Sequence, residues 1–198
     1  VAGTAVVVSA ITILSRLVGF GRVFVFSSAV GTGCTGAAYS AANQIPNVLF
    51  EVVAGGALAG VVVPVTVGLL SRGRSEDADR AVSALLTWAL VVLVPAGLVV
   101  AVAAGPLTAM FLPGRQAFVP GLAADMLVIF APQVVLYGAG VVLAGTLQAH
   151  GRFVWPALAP LLSSLVVIGT YVAYAAAAGD ARRAGCFEPD RAQVWILA

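Results

Sequence analysis

The sequence has no lysine, one histidine and two cysteines, and only 9% of its 198 residues are charged. A soluble domain carries about 25% charged residues, so a chain this poor in charge cannot cover a water-facing surface. A net charge of +2 excludes a nucleic-acid partner. There is no G-x-x-x-x-G-K-[ST], H-E-x-x-H or G-x-S-x-G motif and no Cys/His cluster, so neither an enzyme, a metal site nor a cofactor is expected. Cys34 and Cys186 lack metal-ligand spacing. They are read as two free thiols in loops on the same outer side, with a disulfide left open. No basic residue precedes Arg16, so the charged leader of a cleavable signal peptide is missing. All ten basic residues are arginine, which with the abundant Ala, Val and Gly reads as GC-rich coding.

What is present is apolar: 61% hydrophobic residues and a mean hydropathy of +1.07. This is the composition of an all-α, polytopic transmembrane helical bundle. The expected helices are 4–30, 37–70, 81–104, 121–149 and 156–178, with a sixth begun at 192–198. The chain starts at Val1 and stops inside an apolar run; it reads as a partial N-terminal lobe, 1–198, of a longer protein. Ser71 to Arg80 reads as a solvated connector, with Asp77 or Asp79 capping the next helix. Gly105 to Pro120 reads as an outer loop. His150 sits in a turn and reads as interfacial.

The informative stretch runs from Ser15 to Pro64. It opens SRLVGFGR (15–22), passes ANQIPN (42–47) and ends EVVAGGALAGVVVP (51–64). An ionisable group at membrane depth costs about 2.5–3.5 kcal/mol on insertion scales, so it persists where it faces a wet cavity or a partner. Ser15, Gly19 and Arg22 share a helix face, whereas Arg16 lies about 120° from Arg22. Gln44, Asn47 and Glu51 follow i, i+3, i+7 spacing and form one polar stripe. A single Asn would be explained by interhelical hydrogen bonding; three polar groups in register point to a cavity. Pro46, Gly55, Gly56, Gly60 and Pro64 are the expected break points of the long second helix. If helices 1 and 2 pair as an antiparallel hairpin, Arg16 meets Glu51, and Arg22 meets Asn43 and Gln44 or an incoming anion.

The order SRLVGFGR, a glycine-rich turn, then ANQIPNVLFEVVAGGALAGVVVPV resembles the opening of the MurJ/MviN family of lipid II flippases. GTLQAHGRFVWPALAPLLSSLVVI (145–168) is similar to that family's fourth-to-fifth helix junction. Actinobacterial members look closest. The resemblance implies a fourteen-helix protein of the cytoplasmic membrane with a cytoplasmic N-terminus. Its two lobes would open alternately around a basic cavity and move an undecaprenyl-pyrophosphate-linked disaccharide pentapeptide. This chain would supply about five helices of the first lobe, and its partners would be membrane lipids, the lipid-linked substrate, the missing C-terminal lobe and cell-wall synthesis proteins. Ser15, Arg16 and Arg22 match the family's Ser-Arg and cavity Arg, and Pro46 and Asn47 its Pro-Asn. Val23, Phe50 and Gly55 stand where many Gram-negative members carry charge.

On this reading Arg22 and Arg16 bind the pyrophosphate through bidentate guanidinium contacts. Ser15, Asn43, Gln44 and Asn47 line the site, and Glu51 neutralises one arginine between cycles. Pro46, Gly55, Gly56 and Pro64 act as hinges. Two other readings stay open: a non-transporting membrane scaffold of cell-wall synthesis, and a drug/cation antiporter of the same superfamily. Arginine counts do not orient the chain. An inside N-terminus places Arg72, Arg74, Arg80 and Arg152 in cytoplasmic loops, against Arg115, Arg182, Arg183 and Arg191 outside, and the inside N-terminus is adopted from the resemblance.

Overall fold

The computed structural model describes residues 2–31, 33–52, 59–114, 118–179 and 189–198. These form eight helices among the described residues: α1 Ala2–Ala29, α2 Cys34–Val52, α3 Ala59–Leu70, α4 Ser75–Val102, α5 Ala104–Phe111, α6 Phe118–Ala149, α7 Val154–Ala178 and α8 Arg191–Leu197. Four of them, Gly3–Ala29, Ser75–Val102, Phe118–Ala149 and Val154–Ala178, are long and apolar enough to cross a membrane. The chain is a multi-pass, all-α membrane bundle.

α6 is the axis of this bundle. Its 32 residues give about 48 Å of helix at 1.5 Å per residue. Its apolar residues are spread around the whole helix, as expected of a span with neighbours on several sides, and α2, α3, α4, α5, α7 and α8 all pack on it. Small residues set the close approaches. A Cβ at Gly145 would lie 2.7 Å from Val62 Cγ1 of α3, and one at Gly138 would collide with Leu93 of α4. Bare glycine backbone thus lets neighbouring helices approach α6 where lipid offers no hydrophobic drive for association. Thr108 of α5 donates to the Pro120 carbonyl at 3.0 Å and ties α5 to α6.

α1 packs along α7, and α2 packs along α6. The expected α1–α2 hairpin therefore does not form. The two helices touch near their joining turn, where Phe26 and Tyr39 lie 5.3 Å apart, and then diverge. The turn itself is tight: Gly31 has φ +84°, and a Cβ at Gly36 would strike the Gly31 carbonyl. Cys34, buried at the start of α2, is disulfide-bonded. That corrects the free-thiol reading for Cys34, while Cys186 lies outside the described residues.

Other boundaries also move. α4 begins at Ser75, so half of the expected connector is helix. Its N-cap is Arg74, with no side-chain cap, in place of Asp77 or Asp79. Glu76 and Asp77 occupy the first turn, where carboxylates complement the helix dipole, and Arg74 Nε donates to Asp77 Oδ2 at 2.7 Å. Residues 105–111, expected as loop, belong to α5, which spans Ala104–Phe111. Pro46 and Pro64 lie inside α2 and α3 without ending them, and Gly60 likewise continues α3. Gly55 and Gly56 lie outside the described residues.

Candidate functional site

Between α1, α2, α6, α7 and α8 lies a cavity of about 350 Å³. Arg22 enters it from α1. Tyr39, Asn43 and Asn47 come from α2 at i, i+4, i+8, a single helix face. Gln133 and Tyr137 come from α6, again at i, i+4. Ser163 and Thr170 come from α7 at i, i+7, and Leu197 and Ala198 close the end at α8. The remaining wall is apolar, with Phe130, Leu136, Val166 and Val167.

The divergence of α1 and α2 makes this space, because α7 and α6 prop the two helices apart. At the turn end an aromatic cluster seals it. Tyr171 donates to the Tyr39 hydroxyl at 2.9 Å, and Phe26 and Phe130 lie 5.3 and 5.6 Å from the Tyr39 ring. Phe50 packs on Tyr137 at 4.9 Å and fixes that ring from the other side.

Among the described residues, ion pairs are confined to Arg74, Glu76, Asp77 and Arg80 at the start of α4. Arg22 is half-buried in the cavity wall without a carboxylate partner among those residues. No hydrogen bond among the described residues involves the Asn43 or Asn47 side chain, and Gln133 Oε1 is buried without a partner. The cavity thus presents one guanidinium, three carboxamides and several hydroxyls, and among the described residues no acidic side chain lines it. Such a surface complements an anion that also carries hydrogen-bonding groups.

The residues expected from sequence divide accordingly. Arg22, Asn43 and Asn47 meet in the cavity. Arg16, Gln44 and Glu51 are exposed and outside its lining. No Arg16–Glu51 ion pair forms, because the helices that carry them separate. Ser15 shares the Arg22 face two turns away, and its Oγ is buried without a partner. The polar face of α2 is read through Asn43 and not Gln44, a change of about 100° in helix phase. Sequence reasoning passed over Tyr39, Gln133, Tyr137, Ser163 and Thr170. Polar spacings of i, i+4 in α6 and i, i+7 in α7 were the available signal.

No solved structure matches the chain. The family model described as "Lipid II flippase MurJ" matches residues 26–187, starting four positions after Arg22. A Synechocystis protein named "Probable lipid II flippase MurJ" is 30% identical over 167 residues, covering 84% of this chain and 31% of that protein. A Burkholderia cenocepacia protein named "Lipid II flippase MurJ" is 32% identical over 175 residues, covering 83% of this chain and 32% of that protein. The chain therefore spans about a third of the length of these curated relatives. With a family model matched across most of its length, the chain belongs to the lipid II flippase MurJ family.

Proposed function

We propose that the protein to which this chain belongs is a lipid II flippase, moving undecaprenyl-pyrophosphate-linked disaccharide pentapeptide across the cytoplasmic membrane by alternating access. The observation that carries this reading is Arg22: a guanidinium within a membrane-spanning helix, without a carboxylate partner among the described residues, in a cavity shared with Asn43 and Asn47. An unpaired cation at that depth costs about 2.5–3.5 kcal/mol on insertion scales and more on simulated isolated helices. A diphosphate passing through the cavity offsets that cost, and the arginine fork suits phosphate oxygens while staying ionised. Arg16, Gln44 and Glu51 would face an opposing lobe supplied by the rest of the protein, Ser15 would line the Arg22 face of α1, and Pro46, Pro64 and the 55–56 glycines would let the second span bend. The absence of any acid from the described cavity lining speaks against a cation antiporter.

A cytoplasmic N-terminus is part of the proposal. Disulfides persist on the oxidising side of a membrane, and Cys34 stands at the α1–α2 turn. One crossing by α1 then puts residue 2 in the cytoplasm.

The full reading frame should rescue cells depleted of their own lipid II flippase, and the Arg22→Ala form at normal membrane abundance should not. Full lipid II translocation by that variant would remove the reading.

A further inference from the structure

The hydroxyls that line the cavity are not equivalent. Tyr39 accepts the Tyr171 hydroxyl at 2.9 Å, and Thr170 donates to the Val167 carbonyl of its own helix at 2.8 Å. Ser163 is a short, exposed side chain on α7 with no ring to fix its direction. Tyr137 stands apart from all three. No hydrogen bond among the described residues involves its hydroxyl, and that oxygen, unlike Gln133 Oε1, is not sealed from the cavity. The half-buried ring behind it is held by Phe50, whose centroid lies 4.9 Å away at 55°. Arg22 reaches across from α1 closely enough for its charge to act on the Tyr137 hydroxyl.

Resting on the flippase reading above, we propose that Tyr137 of α6 is a second diphosphate-binding residue, donating its phenolic O–H to the cargo's diphosphate while Arg22 of α1 grips it from the opposite wall. A guanidinium only donates hydrogen bonds, and a phenol has one proton to give. No carboxylate stands in the described lining to take either. Two donors directed into one cavity call for a ligand rich in acceptor oxygens, and a diphosphate carries them on both phosphorus atoms. One phosphate fills the guanidinium fork, and the other takes the phenol proton. An O–H donated to an ionised oxygen makes a bond roughly twice as strong as a neutral one. Between cycles, cavity water takes the same proton and leaves when the headgroup enters. The fixed ring means that little side-chain freedom is lost on binding. Because α1 packs along α7 and α2 packs along α6, a headgroup held by Arg22 and Tyr137 bridges the two helix pairs that the cavity separates.

The test uses the full-length protein in lipid nanodiscs and measures binding of lipid II and of undecaprenyl pyrophosphate. Tyr137→Phe keeps the ring and its Phe50 contact and removes the hydroxyl alone. It should weaken both ligands by the same factor, roughly tenfold, since each loses one hydrogen bond to a charged group. The thermal midpoint of the ligand-free protein should stay where it is, because the hydroxyl gives up only water. A loss confined to lipid II would put the hydroxyl on the saccharide, and no loss on either ligand would leave it idle. A lowered midpoint without ligand would make it a packing residue. Any of these three results overturns the role of Tyr137 and leaves the flippase reading standing. Failure of the unsubstituted protein to bind lipid II overturns both.

Discussion

Tyr171 of α7 donates a 2.9 Å hydrogen bond to Tyr39 of α2, and the two rings meet edge to face at 5.7 Å. This contact joins the α1–α7 pair to the α2–α6 pair at the closed end of the cavity. A buried hydrogen bond contributes about 1 kcal/mol net, and leaving one buried hydroxyl unpaired costs about 1–3 kcal/mol. Tyr171→Phe and Tyr39→Phe should each lower the thermal midpoint of the full-length protein in detergent, and the double variant should lose less than the sum. Strict additivity in that cycle would show that the hydroxyls do not act together.

The glycines of α6 make a separate prediction about packing. A side chain at Gly145 meets Val62 of α3, and one at Gly138 meets Leu93 of α4. Overpacking a closed contact costs about 1–3 kcal/mol. Gly145→Leu and Gly138→Val should reduce folded yield and thermal stability, and Gly140→Ala, where nothing lies within 4 Å of an added Cβ, should change neither. Thermal unfolding followed by size-exclusion chromatography reads all three.

Much of this arrangement was legible in the sequence. Hydropathy alone located the four spanning helices with their ends within six residues, because lipid permits little else. That Arg22, Asn43 and Asn47 line a cavity was legible for the same reason: polar groups are expensive at depth. Pairing was not. Adjacent helices joined by a short turn usually pack together, but here Gly31 and the Phe26–Tyr39 contact set an opening angle, and α7 and α6 claim the faces that the hairpin would have used. Depth alone matches Arg16 to Glu51, yet the helices that carry them separate. Gln133 and Tyr137 were hard to pick out because α6 spreads its apolar residues around its whole circumference, so an i, i+4 pair of polar residues is the one trace they leave. Half of the charged segment after Ser71 reads as loop because its charges are plentiful, although carboxylates in a first helical turn favour the helix.

Arg22 binding a diphosphate predicts a graded response to substitution. Arg22→Lys keeps the charge and loses the planar fork, and Arg22→Ala loses both. Truncating one partner of a buried, hydrogen-bonded charge pair costs about 2–5 kcal/mol, so lipid II affinity should fall roughly thirtyfold or more for Ala. The Lys form should fall between it and the unsubstituted protein. A titration of labelled lipid II against the three proteins checks the order, and an Ala form equal to the unsubstituted one would place the headgroup elsewhere.

Orientation has its own readout. Cys34 is disulfide-bonded at the start of α2; with that turn outside the cytoplasm, as proposed, intact cells should show no labelling of it by a membrane-impermeant maleimide. Labelling should appear after treatment with an impermeant phosphine reductant. A residue-4 cysteine, Thr4→Cys, should stay unlabelled in intact cells throughout. Labelling at residue 4 from outside would reverse the topology.

Arg16 and Glu51 stand on helices that diverge, both exposed and neither joined to the other. Two charges in direct contact at membrane depth would couple strongly, because the low dielectric leaves each dependent on the other. Two charges that each face the rest of the protein act separately. The double-mutant cycle of Arg16→Gln and Glu51→Gln, read as rescue of flippase-depleted cells and as thermal stability in detergent, should therefore be additive to within about 0.5 kcal/mol. A coupling above about 1 kcal/mol, with the double variant healthier than either single one, would mean that α1 and α2 close on each other in another state of the transport cycle. The cavity around Arg22 would then have to collapse as they do.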